Sequence, residues 1–154
     1  MYKRQGLNRS GKPCEAVETV YTVDELPAFL KEPDYIVLAL PETQQTNQLI
    51  NSDTLGMMKP SAVLINIGRG NSVNEDDLVR ALEDAVIGGA VLDVFEHEPL
   101  PAESPLWQMP NVCITPHMAA TSFPEHIAEV FIQNYLRYQQ KKPLQHVVDF
   151  ELGY

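Results

Sequence analysis

Four nearly continuous aliphatic runs constrain the fold of this chain more than any other feature of its sequence. They cover residues 35–40, 62–67, 89–94 and 112–115. None of them alternates apolar and polar residues, as a half-exposed strand does. Such runs are typical of a parallel sheet that is covered on both faces, because both faces then need apolar side chains. We therefore expect four buried parallel strands.

Helix signals lie between the aliphatic runs. Asp24 is predicted to cap a short helix that reaches Leu30, and Ser52 to cap a helix over residues 53–58, because short polar side chains accept from free N–H groups of a first turn. Asn74 is predicted to cap a helix over residues 75–84. Strands that alternate with helices through short connections predict an α/β fold with a doubly wound parallel sheet.

The last third of the chain is predicted to contain one ordered connection and one long helix. The connection, residues 99–111, is rich in proline, and it is expected to be ordered by burial of Leu106 and Trp107, with Trp107 filling an interface. The sequence Ser-Phe-Pro-Glu at residues 122–125 matches a capping box and predicts a helix to about Gln140. Its apolar stripe indicates a face that packs in the core or at an interface: Ile127, Val130, Phe131, Tyr135 and Tyr138.

Charge and cysteine content narrow the possible partners. The 154 residues suffice for one domain, and their formal net charge of −10 disfavours binding to nucleic acid or to anionic membranes. Cys14 and Cys113 lie in unrelated contexts, which favours reduced thiols and a cytoplasmic protein. An anionic ligand would need local cations, and Arg9, Lys12 and Arg69 are the candidates.

Charged or titratable residues follow three of the predicted strands. Arg69 follows the second, Asp93 and Glu98 end or follow the third, and His117 follows the fourth. In open α/β sheets, ligands bind beyond the carboxyl ends of the strands. We therefore expect these side chains to meet in one crevice.

The chemistry of these residues has both a functional and a structural interpretation. Arg69 stands between Gly68 and Gly70, where it is either a solvated turn residue or a clamp for a carboxylate; the glycines would allow close ligand approach and special turn geometry. Glu98 is either a surface residue or the partner that orients His117. A histidine–carboxylate pair can exchange a proton with a carbonyl or an alcohol.

A metal site is the competing interpretation of the same region. Glu96, His97, Glu98 and His117 are all possible ligands. Three of them are consecutive and cannot all face one ion from an extended segment, and no paired histidine or cysteine spacing supports zinc. The metal interpretation is therefore disfavoured.

Four sequence blocks resemble the D-isomer-specific 2-hydroxyacid dehydrogenases, and most closely the glyoxylate/hydroxypyruvate reductases. The blocks are "LPETQQTNQLI", "VLINIGRGNSVNEDDLVRAL", "GGAVLDVFEHEPLPAESPLW" and "VCITPHMAAT", and the resemblance covers about residues 6–154. It implies a Rossmann-like fold and NAD(P)-dependent hydride transfer between a cofactor and a small 2-oxo or 2-hydroxy acid.

The resemblance also implies a role for each site residue. His117 would be the acid/base, Glu98 its carboxylate partner, and Arg69 the group that binds the substrate carboxylate and carbonyl. Asp93 would hold the nicotinamide carboxamide. The remaining positions, together with Arg69 and His117, would line the cofactor channel: Leu40, Pro41, Ile67, Gly68 and Ala119.

The segment "GLNRSGK", residues 6–12, resembles the place where this family reads the adenosine ribose. An acidic residue there would accept from a free 2′-hydroxyl, whereas arginine accommodates a 2′-phosphate. The segment offers Arg9, Ser10 and Lys12 and contains no acid. NADP is therefore the expected cofactor, with NAD possible.

Two family features have no counterpart in the sequence. The GxGxxG turn that cradles the pyrophosphate is absent, and so is the N-terminal substrate domain. We expect residues 6–118 to form a dinucleotide-binding domain truncated at its N-terminus, without its first strand. Residues 119–154 are expected to return to the absent domain. The isolated chain should bind NADPH weakly and turn over little, and the whole enzyme is expected to be a homodimer.

Two other functions stay open. The chain could be a non-catalytic dinucleotide-binding or dimerisation module, as corepressor relatives are, or an inactive gene fragment. The presence of Arg69, Glu98 and His117 favours the enzyme, because a scaffold has no need of an aligned proton donor.

Overall fold

A computed structural model describes residues 3–151, which contain two parallel sheets flanked by helices. In chain order the strands are β1 (Gln5–Leu7), β2 (Thr19–Tyr21), β3 (Tyr35–Leu38), β4 (Val63–Asn66), β5 (Gly89–Leu92) and β6 (Val112–Ile114). β1 pairs with β2, and a four-stranded sheet has the order β3-β4-β5-β6. The four predicted strands and the α/β class are confirmed. The resemblance placed the end of a strand at residues 6–12, in agreement with β1, whereas β2 was not predicted, because it is not an aliphatic run.

The helices connect the strands in the predicted places. They are α1 (Leu26–Lys31), α2 (Ser52–Leu55), α3 (Glu75–Glu83) and α4 (Pro124–Gln139). The cap of α3 is confirmed, since Asn74 Oδ1 accepts from the backbone N–H of Asp77 at 2.9 Å. This bond satisfies one of the free donors of the first turn.

The predicted caps of α1 and α2 are wrong. Asp24 lies inside a 3₁₀ turn that precedes α1. Thr22 is the N-cap residue of that turn, and its backbone N–H donates to Glu25 Oε2 at 2.9 Å. Glu25 is at the N-cap position of α1 and makes no side-chain cap bond. Ser52 is the first residue of α2, and Asn51 caps it by accepting from two N–H groups. A cap needs extended backbone just before the helix, and Thr22 and Asn51 have that conformation.

α4 begins and ends close to the prediction, but it is not part of the core. Pro124 opens the helix and Gln140 follows it, as predicted. The capping box from Ser122 is absent, because Phe123 occupies the cap position and makes no side-chain cap. No residue of α4 is buried, so its apolar stripe is not core packing. In the predicted tail, residues 141–151 are exposed and residues 152–154 lie outside the described part.

The core lies on one face of the four-stranded sheet. Leu64 of β4 and Leu78 of α3 are among its fully buried members. On β3, however, Tyr35 and Val37 are exposed, so the expected burial of both sheet faces is wrong for the described residues. Strands β3 to β6 are adjacent in chain order, and right-handed crossovers between such strands place their connecting helices on the same face.

The proline-rich connection is ordered by one apolar residue rather than two. Leu106 is buried in the core, as predicted, whereas Trp107 is about half exposed. The Trp107 indole Nε1 donates to the Pro101 carbonyl at 2.9 Å. Within residues 3–151, no helix has the length and apolar character that crossing a membrane requires.

Candidate active site

His117 lies in a turn that Asp93 shapes. The His117 backbone is left-handed, with φ of 50°, and its N–H donates to the Asp93 carbonyl at 2.9 Å. The next two backbone N–H groups, of Met118 and Ala119, donate to the two carboxylate oxygens of Asp93, each at 2.9 Å. A left-handed conformation is unfavourable for a residue with a side chain. The hydrogen bonds to Asp93 therefore hold a turn that His117 would not adopt by itself.

The Asp93 carboxylate stays ionised inside the protein. Only 2 % of Asp93 is exposed, and it also accepts a hydrogen bond from Thr115 Oγ1. Burial raises the pKa of Asp93, but the hydrogen bonds from Thr115, Met118 and Ala119 outweigh burial, and the net pKa is lowered. A fixed negative charge thus lies beneath the His117 turn.

His117 and Glu98 form a close pair. His117 Nδ1 and Glu98 Oε2 are 2.7 Å apart, and Glu98 Oε1 accepts from the Phe95 backbone N–H at 3.1 Å. An ionised carboxylate only accepts, so His117 Nδ1 carries the proton of this bond and Nε2 is available for exchange. The His117 and Glu98 side chains are 52 % and 37 % exposed, so solvent can reach the pair.

The charge of Arg69 acts on the same pair. The pKa of Glu98 is lowered, chiefly by the hydrogen bond from His117, and to smaller extents by the Phe95 N–H and by the positive charges of His117 and Arg69. Arg69 Nη1 donates to the neighbouring Gly68 carbonyl at 2.8 Å. Arg69, Glu98 and His117 follow the neighbouring parallel strands β4, β5 and β6, so the sheet topology brings them to the same edge.

The reason why positions 68 and 70 require glycine differs from the one predicted. Neither has a positive φ. A Cβ on Gly68 would lie 2.6 Å from the Leu40 backbone nitrogen, and one on Gly70 would lie 1.9 Å from the Phe95 carbonyl carbon. The glycines are required because neighbouring backbone segments approach the turn, rather than for a special turn geometry. That packing fixes the turn that carries Arg69.

A cavity of about 630 Å³ opens beyond the carboxyl ends of β1, β3 and β4. Six predicted cofactor residues line it: Arg9, Leu40, Pro41, Ile67, Gly68 and Arg69. Its size is within the range of ligand and cofactor sites. Ser10, Asp93, His117 and Ala119 do not line it; the last three lie at the ends of β5 and β6.

The turn that carries Arg9 is held by Asn8. Asn8 Oδ1 accepts from the Ser10 N–H at 3.1 Å, and Asn8 Nδ2 donates to the Lys12 carbonyl at 3.0 Å. Gly11 has φ of +65°, which favours glycine there. Arg9, Ser10 and Lys12 are all exposed. The turn has two cations and a hydroxyl, which fit a phosphate ester, and it has no carboxylate to accept from a ribose 2′-hydroxyl.

Three side chains that support the site were not predicted. Thr115 donates to Asp93, and Asn66 and Ser72 donate to the backbone carbonyl of Arg69. A signal existed for Asn66, which is a polar residue within an aliphatic run. In the part of the chain that the structure describes, no three His, Cys, Asp or Glu side chains are arranged to hold a metal ion.

The chain is similar to known dehydrogenases in sequence and in structure. Residues 2–119 match the family model described as D-isomer specific 2-hydroxyacid dehydrogenase, NAD binding domain. A glyoxylate/hydroxypyruvate reductase A of Citrobacter koseri is 40% identical over 96% of this chain and 47% of its own length. An NADPH-dependent glyoxylate/hydroxypyruvate reductase of Sinorhizobium meliloti, solved with NADP and sulfate, has a TM-score of 0.93 at 39% identity, over 99% of this chain and 50% of that one.

A second solved structure agrees with the first. A D-isomer specific 2-hydroxyacid dehydrogenase of Xanthobacter autotrophicus, in complex with NADPH and MES, has a TM-score of 0.93 at 38% identity. The match covers 97% of this chain and 62% of that one. The chain spans about half the length of the curated relatives it matches.

Proposed function

Because the chain belongs to the D-isomer specific 2-hydroxyacid dehydrogenase family, we propose that it carries the cofactor-binding and proton-transfer part of an NADPH-dependent reductase for a small 2-oxo acid. The substrate would be of the glyoxylate or hydroxypyruvate type. The observation that carries the proposal is the 2.7 Å contact between His117 and Glu98, beside Arg69, at the edge of the sheet where ligands of α/β proteins bind.

His117 acts as the acid in the proposed reduction. Its Nδ1–H is engaged by Glu98, so Nε2 gives a proton to the carbonyl oxygen of the substrate, which becomes the hydroxyl of the product. The Glu98 carboxylate stabilises the protonated ring before the transfer. Solvent recharges the ring afterwards, because the His117 side chain is half exposed. When bound, the nicotinamide supplies the hydride.

Arg69 binds the substrate carboxylate in the same proposal. A guanidinium can donate two parallel hydrogen bonds to a carboxylate, which fixes the orientation of the substrate as well as its charge. Arg69 lies close enough to Glu98 to lower the pKa of Glu98. A 2-oxo acid places its carbonyl next to its carboxylate, so one small substrate can contact both Arg69 and His117.

The cavity residues hold the cofactor. Leu40, Pro41, Ile67 and Gly68 would contact the cofactor from the cavity wall. The exposed turn of Arg9 and Ser10 would bind the 2′-phosphate of NADPH. Asp93 retains acceptor capacity on Oδ2 for the nicotinamide carboxamide beyond the bond from Ala119.

We also propose that residues 6–118 form part of a larger dinucleotide-binding domain. Such domains have the strand order 3-2-1-4-5-6, with a GxGxxG turn after the first strand. If β1 and β2 are the second and third strands and β3 is the fourth, the first strand belongs between β1 and β3, where the described residues divide into two sheets. Robust turnover of NADPH and glyoxylate by the 154-residue chain would argue against this proposal.

The exposure of α4 supports the proposal that residues 119–154 contact another part of the enzyme. α4 buries none of its residues and exposes aromatic and aliphatic side chains, including Phe131 and Tyr135. We propose that α4 packs on the substrate-binding part of the enzyme and that the enzyme is a homodimer. Light scattering after size exclusion of the natural full-length polypeptide tests the dimer, and a monomer mass contradicts it.

The catalytic proposal is tested by His117→Gln in the natural full-length polypeptide. Loss of an acid–base group typically lowers kcat by about 10²–10⁴-fold. The dissociation constant of NADPH, measured by calorimetry, should change little. His97→Gln is the matched control, since His97 is exposed and has no role in the proposed reaction, and it should leave kcat nearly unchanged. Retained turnover in His117→Gln would refute the acid role. Native protein that binds NADPH and does not turn over would indicate a non-catalytic module.

The cofactor proposal is tested by Arg9→Ala. A charged hydrogen bond contributes about 1.5–3 kcal/mol, so the affinity for NADPH should fall about 10- to 100-fold while the affinity for NADH stays nearly constant. Lys31→Ala, at the exposed end of α1, is the control for a loss of positive charge elsewhere. An equal effect of Arg9→Ala on both cofactors would contradict recognition of the 2′-phosphate.

A further inference from the structure

Two buried polar side chains donate to the same backbone carbonyl, that of Arg69. Asn66 Nδ2 lies 3.1 Å from the Arg69 oxygen, and Ser72 Oγ lies 2.7 Å from it. The backbone N–H of Ser72 also donates to this oxygen at 3.3 Å. Asn66 and Ser72 are essentially without solvent exposure, so water cannot replace either side chain as a donor.

Asn66 ties the Arg69 turn to two strands. It is the last residue of β4, and its Oδ1 accepts from the Gly68 N–H at 3.2 Å. Its own carbonyl accepts from the N–H of Asp93, just after β5, at 3.0 Å. The Asn66 side chain therefore fixes the backbone at Gly68 and at Arg69. The Asn66 backbone carbonyl ties the same segment to Asp93 at the end of β5.

This fixation matters because the Arg69 side chain itself is long and exposed. An arginine side chain has many rotamers, and a clamp must be held within about 0.5 Å of its productive geometry. The Arg69 guanidinium has one hydrogen bond to the adjacent Gly68 carbonyl, which moves with the same turn. The position of the backbone therefore sets where the guanidinium can reach.

We propose that Asn66 and Ser72 are positioning residues for Arg69: they hold its backbone so that the guanidinium meets the substrate carboxylate. The inference rests on the proposed role of Arg69 as the carboxylate clamp. It assigns to two buried polar side chains an effect on substrate binding, although neither belongs to the groups that contact the substrate in the proposed mechanism.

The test is Ser72→Ala in the natural full-length polypeptide, with Asn71→Ala as the matched control. Asn71 lies in the same turn, but its side chain donates to Asn47 and not to Arg69. One hydrogen bond contributes about 0.5–1.5 kcal/mol, so KM for glyoxylate should rise about 2- to 10-fold in Ser72→Ala, with kcat and the NADPH dissociation constant nearly unchanged. The methyl ester of glyoxylate has no carboxylate charge, and its kcat/KM should be the same in native protein and in Ser72→Ala.

A double-mutant cycle separates positioning from general stability. If Ser72 acts through Arg69, Ser72→Ala should have no further effect on kcat/KM in an Arg69→Ala background. Additive effects, or an equal loss with the ester, would overturn the inference and leave the proposed role of Arg69 intact. An unchanged KM in Arg69→Ala alone would overturn that proposed role and the inference with it. Where Ser72→Ala lacks a cooperative thermal transition, Asn66→Ser enters the same cycle, because the shorter side chain cannot bridge to the Arg69 carbonyl.

Discussion

The buried carboxylate of Asp93 is the best place to test how the His117 turn is held, and Asp93→Asn is the sharpest perturbation. Asparagine keeps one acceptor oxygen, which can still accept from Thr115 and Met118. Its amide NH₂ then faces the N–H of Ala119, which donates to Asp93 Oδ2 in the native protein. Two hydrogen bonds to a neutral amide oxygen thus replace two hydrogen bonds to a charged carboxylate. The buried N–H of Ala119 then faces the amide NH₂, which is also a donor.

The size of the effect follows from these bonds. Hydrogen bonds to a charged acceptor contribute about 1 kcal/mol more than neutral ones, and an unsatisfied buried donor costs about 1–3 kcal/mol. Removing a buried charge offsets part of this loss, so the free energy of unfolding should fall by about 2–3 kcal/mol. For a chain of this size, about 2–4 °C of Tm corresponds to each kcal/mol, and Tm should fall by about 5–10 °C at pH 7.

The pH dependence provides a second readout. Because the pKa of Asp93 is lowered in the folded protein, its contribution to stability is present above the unfolded pKa of about 3.9 and is lost as the pH falls through the lower folded pKa. The difference in Tm between native protein and Asp93→Asn should therefore be largest near neutral pH and shrink in acid. Asp84→Asn, at the exposed end of α3, is the control. Calorimetry that finds a Tm within about 2 °C of native at pH 7, or a difference independent of pH, refutes the reasoning.

Three further perturbations test the fold around the site by thermal unfolding. Gly70→Ala should prevent cooperative folding, because a Cβ would lie 1.9 Å from the Phe95 backbone; a native-like Tm contradicts this packing. Glu75 accepts from the Glu96 N–H, and burial is the main cause that raises its pKa. The fold therefore disfavours the ionised form of Glu75. Ionised Glu75 does not destabilise the protein at a pH below its pKa in the unfolded chain, and the destabilisation grows as the pH rises through its pKa in the folded protein. Glu75→Gln should therefore match or exceed the native Tm at pH 7, and Glu75→Ala should fall below it; equal Tm values for the two variants contradict the bond. Asn74→Ala removes the cap of α3 and should cost about 1 kcal/mol, whereas Asn74→Ser should restore most of it. A native Tm in Asn74→Ala contradicts the cap.

The sequence was sufficient to predict the four central strands and the residues that meet at their carboxyl ends. Strands β3 to β6 come from aliphatic runs, and the parallel topology brings Arg69, Glu98 and His117 to one edge. This prediction works because the direction of a parallel strand alone determines which residues follow it at the ligand-binding edge. No side-chain detail is needed for that step.

Local signals were less informative, because several residues can serve the same purpose. Asp24 and Ser52 are good capping residues by type, yet Thr22 and Asn51 have the extended backbone that capping requires. The same limit applies to Gly70. Glycine is required there because the backbone of Phe95, from a distant part of the chain, approaches closely. Contacts of this kind depend on tertiary packing and leave no periodic pattern.

The charge of the chain shows why such local geometry matters for function. A net charge of −10 opposes a dinucleotide phosphate and a 2-oxo acid alike. At physiological ionic strength, however, exposed charges more than about 8 Å apart are largely screened, so the distant acidic residues count for less than the cations at the site. Arg9 at the cavity and Arg69 beside Glu98 are such cations. Their effect depends on short distances, and the short distances depend on Asn8, Asn66 and Ser72, which hold the two turns. In the proposed enzyme, two neutral side chains outside the cavity lining, Asn66 and Ser72, therefore affect how well the substrate carboxylate binds, through the backbone of Arg69 that they hold.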